Sequence, residues 1–142
     1  MKALIINGPN LNLLSKRDKN HYGSFDLKDI EDLLRKEFKD DYFEFFQSNL
    51  EGEIIDQIQK AGNYFGGLII NPAGYSHTSV AIRDALQLCN IPKIEVHLSN
   101  LAEREDFRQK HITAASCNGF ISGFRQNSYL AAMYLLKKMQ RT

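Results

Sequence analysis

Glu95 and His97 lie two residues apart in Lys93-Ile94-Glu95-Val96-His97-Leu98, a short run of strand-forming residues. Alternation along a strand puts both side chains on one face. A carboxylate there can orient an imidazole and stabilise positive charge on it, which suits a proton donor. On spacing alone, a histidine satisfied by a backbone carbonyl is the commoner arrangement. Arg17 and Tyr22 stand in a long polar loop with Lys16 beside them. A guanidinium beside a phenol can stabilise the phenolate and so make a base. A solvated basic loop anchored by one aromatic is the plainer reading. Proton transfer without a cofactor is the chemistry these residues could share.

Other chemistries find less support. Gly8-Pro9-Asn10-Leu11 follows the first strand, and neither G-x-G-x-x-G nor G-x-x-x-x-G-K-[ST] is present there. A receiver-type phosphoacceptor site would need aspartates where Asn7 and Asn71 stand. His21, His77, His97 and His111 form no H-E-x-x-H, and Cys89 and Cys117 have no zinc spacing, so neither metal nor cofactor is expected. Ser76 and Ser79 lack a G-x-S-x-G elbow. Cys89, in a helical setting, reads as core.

These residues need elements to position them. Lys2 to Asn7 is a first strand, followed by an irregular loop from Gly8 to Phe25, a length at which loops often act as lids. Asp26 is placed to cap a helix with Leu27, Ile30, Leu33, Leu34 and Phe38 on one stripe. Tyr42 to Ser48 is a second strand, and Ile54, Ile55, Ile58 and Ala61 mark a helix closed by Gly62-Asn63. Leu68 to Asn71 is a third strand. After Ser76 to Ser79 comes a helix with Ala81, Ile82, Ala85, Leu86 and Cys89. Lys93 to Leu98 is the fourth strand, Ala102 to Lys110 a short helical segment, Gly119 to Gly123 the fifth strand, and Asn127 to Met139 the last helix. Near-continuous apolar strands alternating with amphipathic helices require a parallel sheet covered on both faces: a three-layer, doubly wound α/β fold. Ligands then bind beyond the carboxyl ends of the strands. Asn7, Asn10, Ser48, Asn71, His77, His97, Ser99 and Asn100 all gather at that edge.

The 142 residues suit one domain able to bury a core. With 43% hydrophobic and 25% charged residues, disordered and low-complexity classes fall away. A net charge of +1 with interspersed signs gives no field to attract nucleic acid or anionic lipid. No apolar run nears the roughly 20 residues of a membrane span, and the opening run is too short for a signal-peptide core. Reduced thiols in a cytoplasmic protein are expected.

Several segments, taken together, resemble type II 3-dehydroquinate dehydratase: Ile6-Asn7-Gly8-Pro9-Asn10-Leu11-Asn12-Leu13-Leu14, Tyr22-Gly23 and Gln47-Ser48-Asn49-Leu50-Glu51-Gly52. Further matches run through Ile70 to Ser79, Arg83-Asp84-Ala85, Ile94 to Asn100 and Arg104-Glu105-Asp106-Phe107-Arg108. They are collinear over the whole chain. The resemblance implies a flavodoxin-like five-stranded parallel sheet forming a single catalytic domain, residues 1–142, with a lid at about 15–25. It also implies a cytoplasmic enzyme of the shikimate or quinate pathway, assembled as a homododecamer built from trimers. Such an enzyme converts 3-dehydroquinate to 3-dehydroshikimate and water by anti elimination through an enolate, with neither metal nor Schiff-base lysine.

Carried over position by position, the resemblance makes Tyr22 the base, Arg17 its activator and His97 the acid that protonates the departing hydroxyl. Glu95 supports His97, and Asn10, through a bound water, stabilises the enolate oxygen. Asn71, His77, Asp84 and Arg108 hold the ring hydroxyls, while Leu98 and Ser99 receive the carboxylate. Arg104 fits the pattern with only a lid-side role. Lys16-Arg17-Asp18-Lys19 lacks the lid's usual proline. Pro72-Ala73-Gly74-Tyr75 permutes the common Pro-Gly-Ala-Tyr turn, a change expected to be silent. Arg125 and Ser128 stand where glycines are common and are expected to bear on subunit contacts away from the site. Two alternatives remain at this stage: a doubly wound module that binds a flavin or small anion without turnover, and a catalytically dead assembly subunit.

Overall fold

The first strand, β1 (Lys2–Asn7), is apolar on both sides. Ala3 and Ile5 pack one way and Leu4 and Ile6 the other, none more than 2% exposed. A strand of that kind has to be covered twice. In the computed structural model, which describes residues 1–140, it lies inside a five-stranded, all-parallel sheet ordered β2-β1-β3-β4-β5, between β2 and β3. The other strands are β2 (Tyr42–Gln47), β3 (Gly67–Asn71), β4 (Lys93–His97) and β5 (Gly119–Ser122). Arg141 and Thr142, included in the expected domain, lie outside the described residues. No helix among the described residues is long and apolar enough to cross a membrane.

Helices cover both faces. On one, α2 (Leu27–Glu37) and α5 (Asn127–Gln140) bring Ile30, Leu34, Tyr129, Met133 and Leu136 against Ile5, Ile69 and Val96. On the other, α3 (Glu51–Tyr64) and α4 (Val80–Leu88) set Ile54, Ile58, Ile82 and Leu86 against Leu4, Ile6 and Ile70. Asp26 caps α2 as expected and forms a full capping box with Asp29. Ser79 caps α4 through Ile82 N.

Three local expectations change. The loop from Gly8 to Phe25 is not irregular. It holds a 3-10 segment, Leu11–Lys16, and a single helical turn, α1 (Lys19–Tyr22), capped by the Asp18 carboxylate. Leu11, Leu14 and Tyr22 are buried, and that burial gives the segment its order. α3 runs through Gly62-Asn63 because Ile58 and Ala61 remain in the core and Phe65 N closes the ladder on Ala61 O. The stretch from Ala102 to Lys110 is two separate 3-10 turns, Leu101–Glu103 and Asp106–Gln109. The Gln109 amide joins them by donating to Leu101 O at 2.6 Å and Arg104 O at 3.2 Å, where a helical ladder would otherwise run.

Candidate active site

The sheet order reverses between β1 and β3, and the crevice beyond their carboxyl ends is where this architecture places a ligand. The two strand ends are locked together. Tyr129 from α5 donates its hydroxyl to Asn7 Oδ1 at 2.5 Å and accepts Asn71 Nδ2 at 3.2 Å. Burial pushes the Tyr129 phenol well above the ordinary range, so it stays neutral and keeps both bonds. Gly8 N donates to Asn71 O, and a Cβ on Gly8 would come within 2.7 Å of Pro72 O. Only glycine permits that approach.

On β4, Ile94 and Val96 face α2 and α5, so Glu95 and His97 share the opposite side. Glu95 is fully buried, a state a carboxylate tolerates only with its oxygens satisfied. Its Oε2 accepts His97 Nε2 at 2.6 Å and Ser76 Oγ at 2.7 Å, and its Oε1 accepts Thr113 Oγ1. His97 is therefore fixed through Nε2, and Nδ1 is its remaining nitrogen. His77 lies 6.1 Å away, ring to ring, and donates Nδ1–H to Lys110 O at 2.7 Å. Burial, with help from His97 and Arg108, holds its imidazole below the ordinary range, so it is neutral near pH 7.

The Tyr22 hydroxyl oxygen accepts Arg17 Nη2 at 2.6 Å and Arg104 Nη1 at 2.9 Å. The Arg17 guanidinium also covers the ring, its Cζ 3.8 Å from the centroid. Two cationic donors on one oxygen are worth more to an oxyanion than to a neutral hydroxyl. Arg104 Nη1 further reaches Ser99 Oγ at 3.0 Å. Glu105 holds Arg108 at 2.8 Å and Arg104 at 3.4 Å, keeping both guanidiniums on one side of the pocket. Burial and the neighbouring Arg104 and Arg108 pull Arg17 below its usual value, against the pull of Tyr22. It nonetheless keeps its charge, as arginine does in proteins.

Many of these groups line one pocket, with Arg17, Tyr22, Asn71, His77, His97, Leu98, Ser99 and Arg108 of the expected residues on its wall. Glu95 stands behind His97. Asn10 and Asp84 do not line it. Asn10 is exposed, with a left-handed backbone (φ 69°) held by its amide on Asn49 Oδ1, and Asp84 is exposed on α4. Asn71 spends one amide hydrogen on Tyr129 and its oxygen on Ala73 N, which leaves one N–H for a ligand.

Arg104 belongs on the phenol itself, a stronger position than the lid-side role expected for it. Ser76 and Thr113, which the sequence did not mark, complete the carboxylate's shell. Ser76-His77 adjacency was the one available signal; Thr113 had none. Arg125 and Ser128 are close to the site. Ser128 is buried and its hydroxyl faces His97 O at 3.4 Å, and Arg125 donates to Lys19 O and Asn20 O of α1. Ala73 also carries a positive φ of 53°, so the permuted turn is not silent: it puts a Cβ where glycine would be unstrained.

An all-parallel sheet in this order, with a phenol between two guanidiniums and a carboxylate-held histidine at its carboxyl edge, defines an α/β protein equipped for proton transfer. The sequence matches the family described as Dehydroquinase class II over residues 1–137, and the chain belongs to that family. It is 51% identical to a 3-dehydroquinate dehydratase of Thermotoga petrophila over 142 residues, covering 97% of this chain and 96% of the relative. The crystal structure of type II dehydroquinase from Butyrivibrio crossotus superposes with a TM-score of 0.93 at 45% identity, covering 96% of this chain and 97% of that one. That from Propionibacterium acnes gives 0.89 at 34%, with 96% of each chain covered.

Proposed function

We propose that this chain is a hydro-lyase that removes water from 3-dehydroquinate to give 3-dehydroshikimate, in shikimate or quinate metabolism. The observation that carries the reading is the Tyr22 oxygen held by Arg17 and Arg104 at 2.6 and 2.9 Å, in a pocket that His97 also lines. As phenolate, Tyr22 takes the proton from the carbon next to the ketone, and the C–H electrons pass into an enolate. The enolate then collapses to the conjugated enone as the C–O bond breaks, and His97 protonates the leaving hydroxyl, so that hydrogen and hydroxyl depart anti as water. Tyr22 is left protonated and His97 neutral, and a proton passing between them through solvent resets the site.

Glu95 holds His97 and offsets its charge. Asn71, His77 and Arg108 hold the ring hydroxyls, and Leu98 and Ser99 the carboxylate. Asn10 acts through a bound water, which its place off the pocket wall requires. Asp84 meets substrate only if a neighbouring chain presents it, in keeping with a homododecamer built from trimers. The protein works in the cytoplasm as one domain, residues 1–142, with residues from about 15 to 25 closing over the substrate.

The test is direct. 3-Dehydroquinate is added and the ultraviolet absorbance of the conjugated product followed. Tyr22→Phe and His97→Ala should keep the wild-type far-ultraviolet circular dichroism and lose at least about 10³-fold in kcat. Substantial turnover by either variant refutes its role.

A further inference from the structure

Arg125 occupies the turn between β5 and α5 with φ 51°, a left-handed backbone that costs any residue bearing a Cβ. Its two ends join different parts of the molecule. The backbone N–H donates to Leu98 O at 3.0 Å, on the wall of the pocket. Its guanidinium spans to α1, donating through Nη1 to Lys19 O at 2.9 Å and through Nη2 to Asn20 O at 3.2 Å.

α1 is one turn, Lys19–Tyr22, and ends on Tyr22. A lone turn does not hold itself, and the last carbonyls of any helix lack partners within it. Arg125 supplies donors there: Asn20 O is one of those left-over carbonyls, and Lys19 O, which already accepts Gly23 N–H at 3.0 Å, gains a second donor. The fit extends to Gly23, which ends the turn at φ 87°. A Cβ there would fall 3.2 Å from Arg125 Nη1 and 2.4 Å from Phe25 Cε1, so the guanidinium lies close against the bare α-carbon. No ion pair found among the described residues includes Arg125, so its charge is not committed to a carboxylate elsewhere. From this geometry we infer that Arg125 is a positioning residue that latches α1, and with it the Tyr22 hydroxyl, to the fixed wall of the pocket at Leu98.

The activity half of this inference rests on Tyr22 acting as the base; the latch itself does not. The variant that separates them is Arg125→Gly, which removes the guanidinium and supplies the residue that adopts φ 51° without strain. Hydrogen exchange at the His21, Tyr22 and Gly23 amides, all bonded to Asp18 or Lys19 carbonyls, should quicken roughly tenfold. Exchange in β1 and β3 should be unchanged, and the thermal midpoint equal to wild type or higher. In the dehydration assay kcat should fall about three- to tenfold, with partial recovery in Arg125→Lys, which can reach one carbonyl. Unchanged exchange in α1 overturns the latch. So does a general quickening with a lowered midpoint, which would make Arg125 a fold-stabilising residue. Local quickening with undiminished kcat in an active enzyme overturns its positioning role. If wild type does not turn over 3-dehydroquinate, the functional reading fails and the exchange data still decide the latch.

Discussion

At one oxygen atom, the Tyr22 hydroxyl, two positive groups converge, one from five residues before it in sequence and one from 82 residues after it. Removing a preorganised donor to a charge that develops in reaction typically costs on the order of 10² to 10³ in kcat. Arg17→Ala and Arg104→Ala should each lose about that much, with KM moving far less, and the double variant should lose less than the product of the two. Steady-state kinetics on the four proteins measures this. Equal factors on KM with kcat intact would make both arginines binding groups only. Local pairs were within reach of the sequence, Glu95 with His97 through strand alternation and Arg17 with Tyr22 through one loop. Spacing alone favoured a plainer reading of each, and the family resemblance was needed to prefer the pairs. Arg104 at the phenol and Thr113 at the carboxylate were out of reach, since nothing local to either shows what the fold will bring against it.

Elements behave likewise. The capped start of α2 was readable because Asp26 and Asp29 are neighbours, and α3 outran its expected end because burial of Ala61 outweighed the glycine that follows. The turn after β3 tests how much backbone handedness matters. Ala73 sits at φ 53°, whereas a Cβ on Gly74 would meet nothing within 4 Å. Exchanging the two, Ala73→Gly with Gly74→Ala, keeps composition constant and so cancels most of the unfolded-chain entropy. The swap should stabilise by about 1 kcal/mol, the usual order of left-handed strain, read as a higher urea midpoint at unchanged slope. No gain would mean that the surrounding turn absorbs the strain.

For the whole molecule, alternating apolar strands and amphipathic helices were enough to anticipate a parallel sheet covered on both faces, because burial on two sides dictates that pattern. Long-range closures were not foreseeable. One joins the loop after α2 to the far end of α5: the Asp41 carboxylate, 3% exposed, takes the Met1 ammonium at 2.7 Å and the Lys137 ammonium. Burial alone would raise Asp41, but the two cations prevail and hold it below the usual range. A depressed folded value means its stabilisation is present above the unfolded value, about 3.9, and is lost as pH falls through the lower folded one. Asp41→Asn should therefore be less stable than wild type by about 1 to 3 kcal/mol at pH 7, and the gap should close at an acid pH below both the unfolded and the depressed folded value. Denaturant unfolding at both pH values checks this, and a gap that persists in acid would point to packing instead of charge.

Among the described residues, Asn10, Ala73 and Arg125 are the non-glycine ones with positive φ, and they follow β1, β3 and β5 on the rim that holds the pocket. The least relaxed backbone thus borders the working surface, while the interior of the sheet is at ease. Any effort to harden this protein against heat meets its machinery first, because the positions with most to gain from a gentler residue are the ones that shape the mouth of the crevice.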